Sequence, residues 1–163
     1  IFSSLSKRSN VPGMRSGFVA GDARILKQFL LYRTYQGSAM SPPIQQASIA
    51  AWNDETHVAE NRRLYHEKFS AVTPVLACHL DVSLPDAGFY LWASVARYAP
   101  LDDTEFARRL YREYNVSVLP GSYLARAADG ANPGESFLRI ALVASPAECL
   151  EAADRISHFC ESL

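Results

Sequence analysis

Ser3-Ser4-Leu5-Ser6-Lys7-Arg8-Ser9-Asn10-Val11-Pro12-Gly13-Met14-Arg15-Ser16-Gly17 lies between two short apolar runs, Ile1-Phe2 and Phe18-Val19-Ala20. Residues 1–4 and 17–20 read as neighbouring strands, and the polar stretch between them as the loop that joins them. Pro12-Gly13 supplies a fixed φ followed by a residue free to take positive φ, a turn signal. A lysine and an arginine held on one tight loop read as an anion site, and the wider context agrees. Residues 1–35 carry Lys7, Arg8, Arg15, Arg24, Lys27 and Arg33 against Asp22 alone.

The pattern Ser4-x-x-Lys7, followed eight residues later by Arg15 and then Gly17, resembles the cofactor-lysine segment of class I and II aminotransferases, the fold type I pyridoxal-phosphate enzymes. Within that family the run from Ser6 to Gly17 is most similar to succinyldiaminopimelate aminotransferases of bacterial lysine synthesis. The resemblance extends over the whole chain but covers only the C-terminal part of such an enzyme. It implies an α/β fold, pyridoxal 5'-phosphate as cofactor, and amino transfer between N-succinyl-diaminopimelate and 2-oxoglutarate. It further implies Lys7 as the Schiff-base lysine and proton shuttle, with Ser4 and Arg15 as phosphate anchors. The chemistry suits the residue types: an amine serves as nucleophile and then as base, a guanidinium offers a planar fork of donors, and a hydroxyl offers one more.

Two rivals fail on missing partners. A serine acyl-transferase with Ser4 as nucleophile requires a later Lys-Thr-Gly strand, and a phosphate-binding P-loop requires Gly-x-x-x-x-Gly-Lys-Ser/Thr. Neither motif is present. A non-catalytic regulatory or dimerisation module stays open as an alternative, as does an aminotransferase of different amino-acid substrate. Retention of Lys7, Arg15 and Arg139 together speaks against decay of the site.

Composition sets the bounds. The 163 residues are 48% hydrophobic and 20% charged, with a net charge of −1, which places the chain among globular proteins and against general nucleic-acid binding. Cys78, Cys149 and Cys160 are an odd set, and the last two sit about 16 Å apart along one expected helix, so no disulfide is predicted and a reducing, cytoplasmic compartment is. His57, His66, His79 and His158 lack zinc-ligand spacing, so no metal is expected. No long apolar run suggests a membrane segment. The absent initiator methionine and the strand-like start at Ile1 suggest a fragment that is inactive alone.

Outward from the motif, residues 22–33 place Ile25, Leu26, Phe29 and Leu30 at helical spacing. Ser41-Pro42-Pro43 is a helix start. The helical stretch 42–72 spans about 45 Å if unbroken, with a restart at Asn53-Asp54 and Asp54 as cap. Its second part sets Val58, Tyr65, Phe69 and Val72 on one face, with Glu60, Arg62, Arg63, Glu67 and Lys68 mostly solvated. The expected domains are 1–41, a remnant of the large cofactor domain; 42–72, an interdomain helix; and 73–163, a small α/β domain. By resemblance, the loop before the helix lies at a homodimer interface, where Ser38 and Ser41 reach the partner's active site. Gln36 stands where dicarboxylate-specific relatives have arginine, which argues against plain aspartate specificity.

Beyond residue 79 the pattern changes to strand. Leu80, Val82 and Leu84 alternate with polar neighbours, and with 89–95 they predict a hairpin. A helix follows over 102–114, then a short strand over 116–119 that leads into Pro120-Gly121-Ser122-Tyr123. Ser136–Val143 is a buried-type strand whose one charge is Arg139; with no acid in the strand, a ligand carboxylate is its expected partner. By resemblance Arg139 binds the substrate α-carboxylate, and Gly121 and Tyr123 shape the pocket wall. Residues 128–135, rich in Gly, Pro and Asn, suggest a mobile loop. Ser145-Pro146-Ala147-Glu148 is a capping box that opens a final helix with Cys149 and Cys160 on its core side.

Overall fold

The computed structural model describes residues 1–163 and divides into two compact units, Ile1–Arg63 and Leu64–Leu163. The boundary falls within the stretch 42–72. No helix is long and apolar enough to cross a membrane.

In the first unit, β1 (Phe2–Ser4) pairs antiparallel with β2 (Gly17–Val19), Ser4 opposite Gly17. A side chain is excluded at Gly17, because a Cβ there would sit 2.8 Å from the Ser3 carbonyl oxygen. The segment between the strands is structured rather than an open loop. It forms one helical turn, α1 (Leu5–Arg8), and then a 3-10 turn over Pro12–Met14. The positive φ expected at Gly13 falls instead on Arg15 (φ 52°) and Asn10 (φ 54°). Proline starts a right-handed turn that Gly13 and Met14 continue, so the chain reverses only at its end.

Helix α2 (Ala23–Gln36) starts on the Asp22 side chain, which accepts from the Arg24 amide. It runs three residues past the expected end, and its apolar stripe is only half covered: Leu26 and Phe29 are partly buried, Phe29 edge-on to Phe2, while Ile25 is 70% exposed and Leu30 69%. Helix α3 (Pro42–Asn53) follows, with Ser41 at the cap position by backbone alone. Asp54 separates it from α4 (Thr56–Ala77), its carboxylate accepting from the Thr56 amide at 2.8 Å. The expected restart is therefore observed. Helix α4 continues through Pro74 to Ala77, because fully buried Val72 and Leu76 hold it against the second unit's core.

The second unit is a three-stranded antiparallel sheet in the order β3 (Tyr90–Ser94), β5 (Phe137–Ala141), β4 (Leu119–Pro120), with α5 (Asp103–Tyr114) and α6 (Pro146–Glu161). Leu91 and Ala93 of β3 and Leu138 and Ile140 of β5 meet Phe106 and Leu110 of α5, Ile156 and Phe159 of α6, and Phe69, Val72 and Leu76 of α4. Each of these side chains other than Ala93 contributes about 1.5–3 kcal/mol by leaving water. The predicted hairpin over 80–95 does not form. Residues 80–84 make a single bridge, Asp81 to Ser94, and β3 takes β5 as its partner. Pro85 lacks the amide that a ladder requires, which favours the non-local pairing. The strand expected over 116–119 likewise shortens to Leu119–Pro120.

In the loop over 128–135, Ala128 and Ala131 exchange backbone hydrogen bonds, and Asn132 Nδ2 donates to the Ser122 carbonyl. One further expectation shifts. Lys68 is not solvated but buried, its Nζ donating to the Leu142 carbonyl at 3.1 Å and lying 5.1 Å from the centre of the Tyr65 ring. The alkyl stem packs with the core, and the ammonium is satisfied by carbonyl and ring face. Cys149 and Cys160 are buried as expected, and burial pushes both thiols up from their ordinary range.

Candidate active site

Lys7 sits on α1, and three features fix that turn. Leu5 is fully buried beneath it, and its amide donates to the Ser16 carbonyl at 3.1 Å. Ser16 in turn shares a 2.8 Å hydrogen bond with the buried Ser48 hydroxyl of α3. Ser4 caps the turn, its Oγ accepting from the Ser6 amide at 3.0 Å. The Ser4 proton is not used in that bond.

Ser4 and Lys7 line one open cleft of about 710 Å³, together with Phe2, Gly17, Arg8 and Arg33. The cleft therefore carries an amine, a hydroxyl and two guanidiniums against an apolar wall, a donor set suited to an aldehyde-bearing aromatic phosphate. Arg33 is held at the rim, donating to the Ser38 carbonyl at 3.2 Å, and its guanidinium occupies the space a side chain at Gly37 would need.

Arg8 and Ser9 were not singled out from sequence, yet both hold the lysine turn. The Arg8 guanidinium donates to the Ala51 carbonyl at 2.8 Å, pairs with Glu55, and lies 4.8 Å from the centre of the Trp52 ring. It thereby satisfies the last-turn carbonyls of α3. Ser9 Oγ lies 2.8 Å from His57 Nε2, and His57 Nδ1 lies 2.8 Å from Asp54 Oδ2. The hydrogen bond from His57, with that from the Thr56 amide, holds the Asp54 carboxyl below the usual carboxylate range. The adjacency of Arg8 and Ser9 to Lys7 was the available signal; their partners lie more than 40 positions away.

Other expected site residues are placed as follows. Arg15 does not line the cleft; it is exposed, and its Nη1 donates to the Pro12 carbonyl at 2.9 Å. Ser38 and Ser41 are exposed in the same unit. Arg139 belongs to the second unit, in the central strand β5 opposite Trp92 and Leu119, its guanidinium 4.3 Å from the centre of the Tyr90 ring. Trp92 stacks on Phe137, with centroids 5.5 Å apart and planes at 14°. These aromatics and Arg139 share the sheet face turned from the core. Gly121 is buried beside them and admits no side chain, since a Cβ would lie 2.4 Å from the Gly134 carbonyl and 2.9 Å from Trp92. Tyr123 is 68% exposed.

The class I and II aminotransferase family matches residues 1–156. The chain belongs to that family. A crystal structure of an aminotransferase from Neisseria meningitidis is 60% identical, with a TM-score of 0.87 over 97% of this chain and 40% of that one. A probable N-succinyldiaminopimelate aminotransferase from Thermus thermophilus is 30% identical, with a TM-score of 0.84 over 97% of this chain and 41% of that one. The LL-diaminopimelate aminotransferase of Maridesulfovibrio salexigens is 30% identical over 96% of this chain and 39% of its own length. The chain thus spans about two fifths of the length of such relatives, and it has the fold type I architecture. The family depends on pyridoxal phosphate.

Proposed function

We propose that the full-length protein transfers an amino group between N-succinyl-diaminopimelate and 2-oxoglutarate in lysine biosynthesis, and that it acts as a homodimer. The observation that carries the transaminase reading is the convergence of Ser4 and Lys7 on one cleft edged by guanidiniums. Pyridoxal phosphate, when bound, supplies the electron-withdrawing ring that takes up charge from the substrate α-carbon. The Lys7 amine would hold the cofactor and, as a local base, would move the proton at that carbon. Ser4 keeps its cap bond through its lone pair and donates its O–H to a phosphate oxygen. Arg15 makes the second phosphate contact by exchanging the Pro12 carbonyl for a charged acceptor, the stronger bond. Arg139 grips the substrate α-carboxylate, with Gly121 and Tyr123 in the pocket wall. Ser38 and Ser41 serve the partner subunit's site.

The substrate assignment is supported by the run from Ser6 to Gly17 and by the likeness to the Thermus protein. The test is direct. The full-length protein is incubated with pyridoxal phosphate and reduced with borohydride; the pyridoxyl label is expected on Lys7, and Lys7→Ala is expected to abolish both label and turnover. Steady-state kcat/KM is then compared for N-succinyl-diaminopimelate, LL-diaminopimelate and aspartate. A higher value for either of the last two would overturn the substrate assignment; label elsewhere than Lys7 would overturn the reaction.

A further inference from the structure

Two side-chain systems bracket the Lys7 turn. On one side Arg8, only 16% exposed at its side chain, is anchored to Ala51, Trp52 and Glu55 at the end of α3. On the other side Ser9 is tied through His57 to Asp54 at the start of α4. An ionised carboxylate can only accept, so Asp54 requires the proton of His57 on Nδ1; in the neutral ring Nε2 is then the acceptor for the Ser9 hydroxyl. Both anchors therefore converge on the short α3–α4 junction, residues 54 and 55. A four-residue helical turn has too few internal hydrogen bonds to hold its own orientation. The junction thus joins Leu5, Ser16 and Ser4 in setting the orientation of the turn that carries Lys7.

Resting on the transaminase reading above, we infer that Ser9, His57 and Asp54, with Arg8, are positioning residues that aim the Lys7 amine. Ser9, His57 and Asp54 act through the turn and not on substrate. Misdirection of a reacting amine by a fraction of an ångström to 1 Å costs rate while leaving ground-state binding of the amino acid largely intact.

The test uses the full-length protein and its Ser9→Ala, His57→Ala, Ser9→Ala/His57→Ala and Ser9→Thr variants. The rate at which borohydride-fixed pyridoxyl label accumulates on Lys7 is read by peptide mass, beside kcat, KM and amide exchange of residues 5–16. Each alanine variant is expected to slow labelling and kcat roughly ten-fold at unchanged KM, and to speed exchange of residues 5–16. The double variant is expected to be no slower than either single one, because the two residues share one interaction. Ser9→Thr, which keeps the hydroxyl, is expected to restore the wild-type rate. Wild-type labelling in the alanine variants, additive losses, or a lowered melting temperature with unchanged labelling would each overturn the positioning role. An unlabelled wild-type protein overturns the transaminase reading itself and this role with it, an outcome distinct from failure confined to the variants.

Discussion

Arg139 occupies the middle of the central strand, where its neighbours along the chain, Leu138 and Ile140, point into the core. Its own side chain lies on the opposite face, against the Tyr90 ring at 4.3 Å. A ring face attracts a cation but satisfies none of its five donors, so the fork stays available to a planar anion. Lysine keeps the charge and loses the fork. Arg139→Lys is therefore expected to lower kcat/KM for the amino acid about ten- to hundred-fold in the full-length protein, without slowing the labelling of Lys7. Unchanged kcat/KM would remove Arg139 from substrate binding. At this same scale Arg15 adopts a left-handed conformation that costs a non-glycine residue of order 1 kcal/mol, a strain placed within the motif.

The elements show which features local sequence could reveal. Ser145 and Glu148 form the full capping box, each side chain bonding the other's backbone amide, and this was legible because all partners lie within four residues. Ser145→Ala is expected to cost about 1 kcal/mol, seen as a lower melting temperature of the second unit with activity of the surviving fold unchanged. A shift within error would mean that Pro146 and Glu148 suffice to start α6. The restart at Asp54 was legible for the same reason. The strand over 80–84 was misread because alternation cannot report that β5, nearly fifty residues on, is the better partner for β3. Lys68 was misread likewise: its carbonyl partner lies 74 residues away. The helical spacing of Ile25 and Leu30 correctly indicated a helix but not its burial.

Across the molecule, the two units differ sharply in how much they bury. In the first, Leu5, Ser16, Ser48 and Val58 are the buried residues, two of them polar, and α2 buries none. The second holds the contiguous core that joins β3, β5, α5, α6 and the C-terminal half of α4. Amide protection follows buried contact density, so local opening is cheapest where few apolar side chains must be exposed. In the 163-residue polypeptide, amides of Leu91, Ala93, Leu138, Ile140 and Phe159 are expected to exchange last and together, at the rate of global unfolding of their unit. Amides in the middle of α2 are expected to exchange at least roughly a hundredfold faster, with α1 intermediate because Leu5 and Arg8 tie it to α3. Exchange of α2 in step with β5 would show that the chain unfolds as one cooperative body. The same measurement reaches the chemistry, because a lysine on a turn that opens more readily than the sheet must owe its aim to the side chains that clamp it. The protection of α1 should therefore fall in His57→Ala while that of β5 does not.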